Sequence, residues 1–111
     1  VRLVGAGRAL EMILTGRMVV AEEALVSGLV TTVVPTEDLM STARAVAGSV
    51  LAKGPVAVRL AKQVVRTSAD VDLRTGLAIE RLAQSVLYTL ADKDEGVDAF
   101  LAKRAPAFEG R

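Results

Sequence analysis

The chain has 111 residues, a formal net charge of +1, no Cys, no His and only three aromatic residues, Tyr88, Phe100 and Phe108. A nucleic-acid site built on basic excess and aromatic stacking is excluded, and so are a disulfide framework, a thiolate nucleophile and a histidine-based centre or metal site. Just over half the residues are apolar, chiefly Ala, Val and Leu, which suits close helix packing in one domain or part of one.

Val4 to Leu14 is predicted as a helix, with Ala9, Leu10 and Ile13 on one side and Gly16 past its end. Within it, GAGRA (Gly5 to Ala9) has the start of a phosphate-loop pattern, but Leu10 stands where the third glycine belongs, so it reads as a flexible start to the helix. Arg17 to Val20 reads as a short extended piece. Ala21 to Ser27 reads as a short helix with Glu22 and Glu23 at its positive end. Adjacent helix positions diverge, so these two carboxylates do not converge on one substrate atom. Val20 at the N-cap offers no side-chain oxygen, an omission worth about 1 kcal/mol. Gly28 closes the helix, and the β-branched LVTTVV that follows is predicted as a strand ended by Pro35.

Thr36 is placed as the cap of a third helix, with Leu39, Ala43, Val46, Ala47, Val50 and Leu51 at helical spacing. KGP at Lys53 to Pro55 ends it and opens a fourth, with Pro55 near N1 and a stripe of Ala57, Leu60, Ala61, Val64 and Val65. The longest helix is expected near Leu73 to Leu90, where Ile79, Leu82, Ala83, Val86, Leu87 and Leu90 recur at helical spacing. Glu80 and Arg81 lie on its polar side. Asp92 and Glu95 have capping-box spacing for a last helix carrying Val97, Phe100 and Leu101, with Pro106 as its stop. Phe100 and Lys103, three apart, are expected on one face of that helix.

The expected fold class is mainly α with two short strands near the N-terminus. Two such strands make no stable sheet alone, so they must pair with each other or with strands elsewhere. No apolar run reaches membrane-spanning length, and the first residues lack signal-peptide architecture. No membrane association and a cytoplasmic location are the resulting expectations.

Taken together, LTGR, AEEAL, GLV and VVP with the following acidic-Leu pair, then GPVAVRLAKQVV, then DKDEGVDAFLAKRAPAFEGR, strongly resemble the enoyl-CoA hydratase/isomerase (crotonase) superfamily. The resemblance runs over essentially the whole chain and corresponds to the C-terminal portion of that family. It implies a helical end to a crotonase-type α/β spiral of ββα units. Residues 1–35 would close the core region, and 36–111 would form a trimerisation and CoA-covering region. It implies an acyl-CoA-processing function, enoyl-CoA hydratase or isomerase, in fatty acid metabolism. The oxyanion hole and the acid/base carboxylates would lie upstream, leaving no catalytic residue here. It implies no bound cofactor, since the CoA thioester is substrate. Phe100 and Lys103 match a Phe and Lys that approach the CoA adenine and phosphates in well-studied members, often from a neighbouring subunit. The expected partners are further copies, as a trimer or a dimer of trimers, or a chain carrying the upstream half. Val20 departs from the capping Ser or Asp of many members. The rival reading is a non-catalytic helical assembly module, or a truncated remnant, that keeps the oligomerisation surface.

Overall fold

The computed structural model describes residues Val1–Arg111 as six α-helices and one 3₁₀ turn: α1 (Ala6–Thr15), α2 (Ala21–Val26), the 3₁₀ turn (Thr36–Asp38), α3 (Leu39–Leu51), α4 (Pro55–Ser68), α5 (Leu73–Tyr88) and α6 (Ala91–Leu101). Packing divides them into two compact units, Val1–Ala43 and Arg44–Arg111.

The mainly helical expectation holds, and the two strands do not form. Arg17–Val20 and Leu29–Val34 carry no ladder. Val20 is extended, at φ −77° and ψ 159°, but an extended segment becomes a strand only when its N–H and C=O groups meet a neighbour's. The β-branched run states a local preference that needs a partner strand, and this chain supplies none.

In the first unit, α1 ends on left-handed Gly16, whose N–H donates to the Met12 carbonyl at 3.2 Å. As expected, α2 starts at Val20 with no side-chain cap. It ends in a Schellman turn: the Gly28 N–H donates to Leu25 O at 3.0 Å and the Leu29 N–H to Ala24 O at 2.9 Å, with Gly28 at φ 74°. Arg17 ties the two helices together. Its Nε and one terminal nitrogen donate to the two Glu11 oxygens at 2.6 and 3.0 Å, and its other terminal nitrogen donates to Glu23 at 2.8 Å. Glu23 therefore belongs to an ion-pair network and not merely to the helix dipole.

Thr36 does not cap α3. It opens the 3₁₀ turn after Pro35 with no side-chain cap bond, and the Asp38 N–H donates to Pro35 O at 3.0 Å. A 3₁₀ first turn tightens the backbone and takes up helix-end donors that a cap would otherwise satisfy.

In the second unit α4 packs on α5, and α5 meets α6. Pro55 occupies the first turn of α4, where its missing N–H costs nothing. Asp72 caps α5: its carboxylate accepts from the Thr75 N–H at 3.0 Å and the Thr75 hydroxyl at 2.6 Å. Buried Gly76 lets the start of α5 approach the end of α4, since a Cβ there would lie 3.2 Å from Ser68 Oγ.

The core is thin. The buried apolar residues are Ala9, Ala24 and Ala99, and no large side chain is fully buried. The accessible surface is 8764 Å², whereas two separate compact units of these sizes would together expose only roughly 7,000 Å². The predicted helical stripes therefore exist as stripes but lie largely open. Ile13 is 71% exposed, Leu82 68% and Leu101 73%.

Candidate functional site

The last helix does not run to Pro106. It stops at Leu101, and the chain turns through Ala102 and Lys103. The Lys103 N–H donates to Phe100 O at 3.2 Å, and the Arg104 N–H donates to Ala99 O at 3.0 Å. This is the bond pattern of a Schellman turn, and Lys103 sits at its left-handed position with φ 52°. Lys103 is the only non-glycine residue in the chain with positive φ. An L-residue there costs about 1–2 kcal/mol that glycine avoids.

The expected shared helical face of Phe100 and Lys103 is thus corrected. Phe100 is on α6, while Lys103 lies beyond its end, turned by the left-handed backbone. Both are exposed; Phe100 is 82% accessible. The Lys103 ammonium has no hydrogen bond or ion pair with the rest of the chain.

Its neighbour is fully engaged. The two terminal nitrogens of Arg104 donate to the two Glu95 oxygens at 2.6 and 2.8 Å. The Ala107 N–H donates to the same carboxylate at 2.7 Å. Arg104 first, and the Ala107 amide second, lower the Glu95 pKa from its ordinary 4.5 to about 2. One turn earlier on α6, the Asp92 carboxylate accepts from the Glu109 N–H at 2.7 Å and the Gly110 N–H at 2.9 Å. The Asp92 N–H donates to Arg111 O at 3.1 Å.

Asp92 and Glu95 therefore do not form a capping box. Leu90 is the N-cap of α6, with no side-chain cap bond. Both carboxylates reach sideways to clasp residues 104–111. The clasp sets Phe108 against Gly96 and Gly54, where an added Cβ would lie 3.5 and 3.8 Å from the ring. Phe108, Leu87, Tyr88, Val97 and Ala57 line a largely apolar cavity of about 260 Å³. Sequence reasoning missed this clasp. Its signal is spacing: two carboxylates three apart on a helix, followed by a short tail with a Pro, a Phe and a Gly.

The remaining candidates carry no convergent chemistry. GAGRA starts α1, with Gly5 as the N-cap. Glu22 and Glu23 do not converge, because Glu23 is held by Arg17. Glu80 lines an apolar groove between α4 and α5, beside Leu60 and Leu87. No group of acidic residues could hold a metal ion. No helix is long and apolar enough to cross a membrane.

This backbone matches part of a crystal structure of enoyl-CoA hydratase from Bacillus anthracis with a TM-score of 0.96 and 44% identity, over 99% of this chain and 43% of that one. It is 39% identical over 111 residues to the 2,3-dehydroadipyl-CoA hydratase of Escherichia coli, covering 100% of this chain and 44% of that protein. It is 39% identical over 103 residues to the short-chain-enoyl-CoA hydratase of Clostridium acetobutylicum, covering 93% of this chain and 40% of that protein. The chain spans about two-fifths of the length of these relatives. The likenesses define a crotonase-type helical region. Residues 1–111 match the enoyl-CoA hydratase/isomerase family throughout, and the chain belongs to it.

Proposed function

We propose that this chain is the C-terminal helical part of an acyl-CoA-processing enzyme, an enoyl-CoA hydratase or isomerase. The oxyanion hole and the acid/base carboxylates come from the portion of the relatives that this chain does not span. There, two backbone N–H groups polarise the thioester carbonyl and stabilise the enolate-like intermediate. Residues 1–111 bind and assemble. The open apolar faces of α1, α3 and α5 meet that upstream portion and further copies of the chain.

Lys103 and Phe100 face the CoA end of the substrate. One observation carries this: a lysine holds the strained position of a helix-ending turn with its ammonium uncommitted, while Arg104 beside it is neutralised by Glu95. Strain retained where glycine would relieve it points to a role for the side chain. The ammonium serves as a point charge for a phosphate, and the exposed Phe100 ring offers a face to the adenine. Covering such a ring is worth about 1.5–3 kcal/mol.

The test is steady-state kinetics of Lys103→Ala in the active assembly. The CoA phosphates are remote from the reacting carbons, so the contact is equal in ground and transition states. Such uniform binding appears in KM and not in kcat. KM should rise about five-fold at low salt with kcat nearly unchanged, and the difference should shrink at high salt. An unchanged KM at low salt refutes the role.

A further inference from the structure

We propose that Glu95 is a positioning residue for Lys103. It acts through Arg104, and the clasp on residues 104–111 holds the left-handed turn in place from its downstream side. The inference rests on the assignment of Lys103 to the CoA phosphates and adds what makes that assignment work.

A lysine at a left-handed position has a strong preference to leave it. Two backbone bonds hold it, Lys103 N–H to Phe100 O and Arg104 N–H to Ala99 O, and both lie at a helix end, where fraying is easiest. What opposes fraying is downstream. Arg104 donates the second of those bonds, and its guanidinium is gripped by Glu95 through two hydrogen bonds. Glu95 sits on α6 one turn before Ala99, so the grip ties the residue after Lys103 back onto the helix that ends before it. The Ala107 amide on Glu95 and the Glu109 and Gly110 amides on Asp92 extend the hold. Lys103 is thereby pinned on both sides of its Cα while its side chain stays free.

The clasp has a second effect. Arg104 without Glu95 would be a mobile cation beside Lys103, competing for the same anion in many geometries. Paired, it leaves one ammonium in one place. Ordering a single long side chain costs less when its backbone is already fixed.

The experiment separates positioning from charge. Glu95→Gln removes a negative charge and Arg104→Gln removes a positive one, so a purely electrostatic role predicts opposite changes in KM. Positioning predicts that both raise KM for the CoA thioester, by roughly two- to three-fold with kcat nearly unchanged. In a Lys103→Ala background, neither substitution should change KM further, because the residue they position is gone. Amide exchange at Ala107 and Glu109 in the same variants reports whether the clasp has opened. Changes of opposite sign in the two single variants overturn the proposal, as do equal KM effects with and without Lys103. If Lys103→Ala itself leaves KM unchanged, the CoA assignment fails and the positioning role fails with it. If Lys103→Ala raises KM but the two clasp variants do not, only the positioning role is lost.

Discussion

Gly28 and Lys103 occupy the same position in two copies of one helix-ending turn, each donating to the carbonyl three residues back while the next residue bonds five back. One copy uses the residue that the backbone favours; the other uses a lysine at φ 52°. Exchanging the second for the first is therefore informative. Lys103→Gly should relieve the left-handed strain, partly offset by the greater freedom of glycine in the unfolded chain, for a net gain of roughly 0.5–1 kcal/mol. Thermal unfolding should show a raised midpoint for Lys103→Gly and none for Lys103→Ala. A destabilised Lys103→Gly would mean that the turn is not strained.

The Glu95 clasp has a defined pH dependence. Its folded-state pKa of about 2 lies below the ordinary 4.5. The unfolded chain thus takes up this proton first, and the stabilisation is complete above about pH 4.5. It is lost as pH falls toward 2. Proteolytic release of residues 105–111, measured between pH 6 and pH 2.5, should accelerate only at the acid end. In Glu95→Gln, release should be fast at pH 6 and largely independent of pH. Equal acid dependence in both proteins would assign the effect to another group.

Two glycines beside the clasp should respond in opposite ways. Gly96→Ala places a methyl at ordinary contact, 3.5 Å from the Phe108 ring, inside a helix where Ala is favoured by about 0.8–1 kcal/mol. It should be neutral or stabilising by thermal unfolding. Gly110→Ala puts a methyl 2.7 Å from Pro55 Cγ at φ 78°. The tail must shift, and protection of the Glu109 and Gly110 amides should fall. A loss of stability in Gly96→Ala would show that the ring is packed closer than described.

Arg17 joins α1 to α2 through two carboxylates, so a single ammonium cannot replace it. Arg17→Lys should raise amide exchange across residues 16–23 nearly as much as Arg17→Leu. Arg17 lowers the pKa of both Glu11 and Glu23. Their contribution is therefore present above the ordinary carboxylate range and lost on acidification below it. Protection factors in the wild-type first unit, taken relative to the intrinsic exchange rate at each pH, should fall on acidification. Full rescue by Lys would show that charge alone suffices.

The open stripes predict association. An apolar face as large as that of Leu82, Val86 and their neighbours rarely stays bare. Light scattering at high micromolar concentration should give a mass above that of one chain, and a monodisperse monomer would refute this.

The sequence carried the helices well because their signals are local. Gly16, Gly28 and Pro55 mark ends through their own backbone limits, and each stands where its helix stops or starts. Asp72 was missed as a cap, although its partner Thr75 is only three residues away. The strands failed because Val33 and Val34 state a preference that only a neighbour can fulfil. Asp92 and Glu95 failed for a related reason. Their spacing is that of a capping box, but a carboxylate binds whichever N–H groups the tertiary fold brings, and here those lie 12 to 18 residues downstream. Lys103 was singled out by its spacing from Phe100 and by the resemblance, as an expected CoA contact. Its left-handed conformation could not be read, because Pro106 suggested a later helix end.

The exposed faces are almost wholly aliphatic, with Leu, Ile, Val and Met in place of aromatic rings or ion pairs. Contacts of that composition form by releasing hydration water, with almost no enthalpy near room temperature and a large loss of heat capacity. Such an assembly would be held more weakly in the cold than at ambient temperature. Association through these faces would then weaken on ice and recover on warming, so dilute chilled stocks would understate the mass that light scattering reads at room temperature.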